Sequence, residues 1–296
     1  MNDLFRLPLG EAAEAVVRFL VETLGWFFDG LRSLILAVYE GLEWMLVTPP
    51  FWIVIAVFAA LAFWARGAWL AAGTAIGLFV IVGVDQWENA MESLALVLFA
   101  SVIALAIGVP LGIWAARSST VSKIVRPVLD FLQTMPAFVY LIPALMLFRV
   151  GVVPGVVATI VFALAPAVRL TELGIRGVDR EVVEAGNAFG ATPGRILRQI
   201  QLPLALPSIM AGVNQVIMLS LSMVVIAGMV GAGGLGGDVV QSLSKIDIAL
   251  GVEAGLSVVI IAMILDRLTA ALAKREPRRV RAAAQAPVER EVAAAA

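Results

Sequence analysis

Long apolar runs separated by short charged stretches dominate the chain from residue 51 onward. Seven of them predict spanning helices: 51–65, 68–84, 91–116, 134–150, 152–170, 207–230 and 249–272. A bilayer core takes roughly 20 apolar residues per helix, with about 17 as the usual minimum. Only helices and closed barrels satisfy their backbone groups in lipid. The runs lack the strict in–out alternation of barrel strands, so they predict helices. The first two are short and are divided only by Arg66-Gly67. A tight hairpin is expected there, because one continuous helix would carry a charge at mid-span.

Residues 1–49 have another pattern. Acidic positions outnumber basic ones, and apolar positions recur at helical spacing. Leu31, Leu34, Ile35, Val38, Leu42 and Met45 are expected to share one face. This predicts one or two amphipathic helices at an external or interfacial position. An eighth span over 31–47 is the alternative, opposed by Glu40 and Glu43.

Composition agrees with the pattern. The chain is 61% apolar and 15% charged, with a mean hydropathy of +0.99, whereas soluble domains carry roughly 25% charged residues. There is no Cys and no His. That excludes disulfides, a thiol nucleophile and histidine-based acid–base or metal chemistry. A net charge of −1 gives no case for nucleic acid. Residues 1–10 have no basic run leading into an apolar core, so no cleaved leader is expected. With seven spans, Arg66, Arg117, Lys123, Arg126, Arg176, Arg180, Arg195 and Arg198 fall on one side, together with a tail rich in Lys and Arg. The positive-inside rule makes that side cytoplasmic and puts the N-terminus outside. The expected organisation is an interfacial segment over 1–49, a membrane domain over 50–272 with its longest loop at 171–206, and a disordered cytoplasmic tail over 273–296.

The longest loop carries the most specific pattern. It places Glu184, Ala185 and Gly186 before Gly190, and Ile200 before Leu202-Pro203. Read from its residues, it is a short helix, a glycine turn, a second short helix and a proline stop. Thr192 is a candidate N-cap with Pro193 at the first helical position. Ile196, Leu197 and Ile200 share a face of the second helix, which suits docking in a partner's groove.

This spacing resembles the loop of permease subunits of ABC importers, which runs E-A-A, three residues, G, nine residues, I-x-L-P. Gly186 at the third position is the one departure. Gln133 to Pro143, Asn214-Gln215, Leu219 to Ser222, Gly233 to Gly236 and Asp266-Arg267 extend the resemblance to permeases of the proline/glycine betaine importers. The resemblance implies an all-α integral membrane protein with the type I ABC-importer permease fold, about seven transmembrane helices and N-terminal amphipathic helices. It implies that Glu184, Ala185, Gly186, Gly190, Arg195, Ile200, Leu202 and Pro203 couple the chain to an ATPase. It implies a bacterial cytoplasmic membrane and cargo such as glycine betaine, proline betaine, choline, carnitine or trimethylamine N-oxide. Partners follow: an ATPase dimer, an extracytoplasmic binding protein, a second permease copy and membrane lipid. The chain has no G-x(4)-G-K-[ST] phosphate loop. No cofactor is expected on it, and ATP and Mg belong to the ATPase subunit. It is not expected to be an enzyme.

Polar groups inside the spans are the candidate path residues, because they are costly in lipid. Asn214, Gln215, Ser220 and Ser222 of the run 207–230 are assigned to the translocation path on that ground, with simple interhelical bonding as the alternative. Gln133, just before the run 134–150, and Tyr140, as a cation–π contact with packing or interfacial anchoring as its alternative, are assigned with them. Gly231 to Gly236 matches G-x-G-x-x-G but follows a membrane helix, so a re-entry loop is expected rather than a dinucleotide site. Gly73/Gly77 and Gly108/Gly112 predict close helix packing, within the chain or between copies. Arg149 and Arg169 are expected to snorkel at span ends, and Asp266 and Arg267 to form a local salt bridge. A secondary transporter would want intramembrane carboxylates or broken helices, whereas the acids seen here, Glu92, Glu253 and Asp266, fall at span ends.

Overall fold

The computed structural model describes residues 8–273, which are helical apart from short turns and contain no strand. Helix α1 (Leu9–Val47) kinks at Leu24, whose backbone leaves the helical region. Helices α2 (Phe51–Arg66) and α3 (Ala68–Gly83) pack on each other as the expected hairpin. Gly67 makes the turn at φ 91°, a conformation open to glycine. Then follow α4 (Trp87–Arg117), α5 (Ser119–Thr134), α6 (Ala137–Phe148) and α7 (Val152–Arg176). Short helices α8 (Arg180–Ala188) and α9 (Pro193–Ile196) lead through a π-helical turn (Leu197–Gln201) into α10 (Leu202–Gly228). Helices α11 (Gly234–Lys245) and α12 (Ile248–Ala273) complete the described chain.

All seven apolar runs are helical, but they are not equally long. Among the described residues, α4, α7, α12 and the run Pro193–Gly228 are long and apolar enough to cross a membrane alone. Helix α2 reaches that length only with α1, at a bend of 96°, and α6 only with α5, at 97°. Helix α3, at 16 residues, is shorter. The count by length is therefore four to six, against the seven expected. The Arg- and Lys-containing tail from residue 274 lies outside the described residues.

Helices α4, α7 and α10 form the centre, and small residues set their spacing. A Cβ on Gly108 would lie 2.5 Å from the Ala167 Cβ, and one on Gly112 would lie 2.6 Å from the Val168 carbonyl oxygen. The Gly108/Gly112 pattern therefore serves packing of α4 on α7 within one chain. Gly77 meets Ile260 of α12 in the same way.

The buried face of α1 differs from the expected one. Tyr39, 3% exposed, packs with Leu96, Phe99 and Ala100 of α4, flanked by Ile35, Leu42 and Leu46. Leu34, Val38 and Met45 face outward. This helix is apolar over most of its circumference, so periodicity alone offers two stripes. Contact with α4 selects the one centred on Tyr39.

The glycine run after α10 is a turn with fixed partners. Gly231, Gly233 and Gly234 have positive φ. The Gly234 N–H donates to Glu92 Oε2 at 2.8 Å, and the Leu235 N–H to Ser93 Oγ at 2.9 Å. Helix α11 then returns along α10 at backbone contact: a Cβ on Gly236 would lie 2.1 Å from the Val224 oxygen.

Candidate functional site

The loop between α7 and α10 is built on an intrahelical frame. The Asp179 side chain caps α8 by accepting from the Glu181 N–H at 2.9 Å. Glu184 is exposed and pairs with Arg180 at 3.5 Å. Ala185 is exposed, while Gly186 faces the second half of the loop. A Cβ there would lie 2.7 Å from Ile200 Cδ1 and 3.6 Å from Ile196 Cγ1. Gly186 thus lets α8 rest on the apolar face expected of the second helix. Gly190 turns the chain at φ 76°. Just before it, Phe189 is 92% exposed at the tip.

Thr192 holds the N-cap position and Pro193 the first helical position, but the Thr192 side chain makes no cap bond. The expected proline stop does not occur. Residues Pro193–Gly228 form one helical run, with Leu202 and Pro203 inside it. Proline lacks an N–H and crowds the preceding turn. The π-helical turn just before Leu202 widens the helix there and absorbs the misfit. Ile196 and Leu197 are buried, Leu197 with Ile175 of α7 and Ala205 of α10. The second half of the loop is therefore a helical extension of α10 seated on α7, and α8 rests on it. Arg117, Thr192, Arg195, Arg198 and Gln199 surround an open cleft of about 480 Å³ beside it.

Under this loop lies a cluster that the sequence reading missed. Glu172, 2% exposed in α7, accepts from Ser122 Oγ at 2.7 Å and from Arg126 Nη2 at 3.0 Å. Arg176 Nε is 3.0 Å from the same carboxylate, and Arg176 Nη2 reaches the Ala115 oxygen at 2.8 Å. Arg169 pairs with Asp130 one turn away, so it is an ion-pair partner rather than a snorkelling end. Two salt links therefore fix α5 to α7. The signal was present: a carboxylate flanked by Arg169 and Arg176 at helical spacing.

The six path candidates fall into separate places. Ser220 is fully buried and bonded to Ser101 of α4 at 3.1 Å. Asn214 donates to Asp266 at 3.0 Å and accepts from Thr269 at 2.6 Å. Asp266 is thus held by Asn214, not by Arg267. Gln215 and Ser222 lie on the opposite, exposed face of α10, with Ala211 and Met218 between and beside them. Tyr140 packs against the buried cluster of Leu141, Ala158, Met223 and Val230, and its buried hydroxyl has no partner among the described residues. Gln133 is half-buried in the last turn of α5. At the far end, Arg149 pairs with Asp29 of α1 at 2.9 Å.

Known proteins resemble this chain in sequence and in fold. The chain is 46% identical over 269 residues to the glycine betaine transport system permease protein OpuAB of Bacillus subtilis, covering 91% of this chain and 95% of that one. It is 46% identical over 279 residues to the glycine betaine/carnitine transport permease protein GbuB of Listeria monocytogenes, covering 93% and 99%. In fold it matches a chain of the inward-facing MetNI methionine ABC transporter, with a TM-score of 0.61 at 21% identity, over 65% of this chain and 96% of that one. Residues 108–280, which contain α7, the loop, α10 and α12, match the family described as binding-protein-dependent transport system inner membrane component, and the chain belongs to that family.

Proposed function

We propose that this chain is the permease subunit of an ATP-driven importer of glycine betaine and related quaternary-amine osmolytes, with ATP and Mg bound by a separate ATPase subunit. The observation that carries the reading is the loop itself. A 92% exposed Phe189 and an exposed Glu184 stand on α8 and the turn after it, and α8 rests through Gly186 on Ile196 and Ile200 of the helical run that continues into the spanning helix α10. A partner that grips this knob moves α10 directly, which is what coupling of ATPase closure to alternating access demands. Glu184, Ala185, Arg195 and Phe189 meet the partner. Gly186, Gly190, Ile200, Leu202 and Pro203 shape the element that they stand on.

The loop end of the bundle is cytoplasmic in this reading, and a separate binding protein delivers cargo to the opposite end. A second copy of the chain covers the exposed α10 face. Gln215 lies on that face within a span, and an amide there faces protein or water rather than lipid; Ser222 beside it satisfies its hydroxyl on the Met218 oxygen at 3.0 Å. The path runs along that face, and Gln133 and Tyr140 border it.

The test is uptake of labelled glycine betaine into proteoliposomes containing this chain, its ATPase and its binding protein. Uptake should require all three and ATP. Glu184→Lys should abolish uptake and ATPase association while leaving the fold intact, because the exposed pair with Arg180 contributes at most about 1 kcal/mol. Uptake by this chain alone, driven by an ion gradient, would establish a secondary transporter instead.

A further inference from the structure

Helices α3 and α12 leave a groove of about 280 Å³ between them. Its walls are nearly all apolar, from Leu70, Ile260 and Met263. Gly73 opens the groove: a Cβ there would meet nothing within 4 Å. Two polar groups break the apolar lining. Thr74 is 2% exposed, and its hydroxyl has no hydrogen-bond partner among the described residues. Arg267 lies at one end of the groove and has neither an ion pair nor a hydrogen bond among the described residues, since Asp266 is taken by Asn214. A buried hydroxyl without a partner is costly, and an unpaired guanidinium is a strong anion site.

The groove therefore asks for a ligand with an anion at one end, acceptor oxygens just below it and a long apolar body. We propose that it is a binding site for one membrane phospholipid, with the phosphate on Arg267, an ester oxygen at Thr74 and an acyl chain along Gly73 and Met263. Charge argues against the chain's own next segment as occupant. Up to residue 281 that segment carries Lys274, Arg275, Arg278, Arg279 and Arg281 against Glu276 alone, so its net sign is that of Arg267. A second permease copy would cover the apolar walls but would leave the need for an anion unmet. Basic sites between membrane helices bind lipid head groups by this chemistry.

Native mass spectrometry of the full chain in complex with its ATPase, extracted from vesicles of phosphatidylglycerol and phosphatidylethanolamine, tests the site. A phospholipid should stay on each permease copy through a detergent wash. Arg267→Gln should lower its retention about tenfold, the effect of losing one charge-assisted contact. Thr74→Val should lower it less. Gly73→Leu should remove it by filling the groove, with no loss of helix propensity. Equal retention in wild type, Arg267→Gln and Thr74→Val overturns the proposal, whether or not Gly73→Leu accumulates. So does dissociation of permease copies by Gly73→Leu with lipid retention unchanged, which would make a second copy the occupant.

Discussion

Single residues hold the helices of this protein at fixed spacings, and besides the glycines of α4 two further contacts do so. The first is the Glu172 cluster, which ties Ser122 and Arg126 of α5 to Arg176 of α7 around one buried carboxylate. Removing a buried partner leaves the others uncompensated. Here the arginines are half-exposed and can rehydrate, so Glu172→Ala should cost about 1–3 kcal/mol. Glu172→Gln keeps the Ser122 bond and should cost less. Thermal unfolding of the purified protein should rank wild type above Gln above Ala, and equal midpoints for the three would deny the cluster any structural role. The second is backbone contact between α10 and α11. Gly236→Ala would place a Cβ 2.1 Å from the Val224 oxygen, whereas a Cβ on the adjacent Gly237 meets nothing within 4 Å. Gly236→Ala should sharply reduce the yield of monodisperse protein, while Gly237→Ala should not. The sequence carries these effects unequally. Gly236 and Gly237 look alike until α11 has folded back, whereas Glu172 shows Arg169 and Arg176 at helical spacing but not Ser122 and Arg126, which only the packing of α5 brings to it.

At the scale of elements, the sequence is a good guide to where helices lie and a poorer one to where they stop. The seven apolar runs are all helical because twenty or so consecutive apolar residues have few other solutions in lipid. Pro203 misleads because a proline inside a helix normally ends or kinks it. The π-helical turn at Leu197–Gln201 supplies the slack that lets the helix pass. The consequence is mechanical: one helical run joins Pro193, at the loop, to Gly228 at the far end of the bundle. An insertion of two glycines between Gln201 and Leu202 should break that lever while leaving α8, α9 and their exposed side chains able to dock. Co-purification with the ATPase should survive and ATP-driven uptake should fall to background. Uptake that persists in the insertion variant would show that force reaches the spans by another route, of which the α5–α7 links are the nearest.

At the scale of the molecule, the surface divides into faces with different needs. Helices α3 and α12 present apolar groups, and Trp69 on α3 is 89% exposed, as suits an aromatic anchor at the membrane interface. The α10 face instead carries Gln215 and Ser222 within a span. An amide facing lipid is costly, and the simplest remedy is the same face of a second copy, since two-fold interfaces are self-complementary. The sequence held this asymmetry only in part. It marked the polar groups of α10 but not which of them Asn214 and Ser220 would spend on α12 and α4. The chain has no cysteine, so single-cysteine cross-linking in native membranes reads the interface without background. Gln215→Cys and Ser222→Cys should give a dimer band with a short bifunctional maleimide, because residues near a two-fold axis meet their own copies. Trp69→Cys should stay monomeric. The reverse result would move the proposed second copy to the α3 side, take the proposed path away from Gln215 and Ser222, and place the α3–α12 groove inside the assembly rather than against lipid.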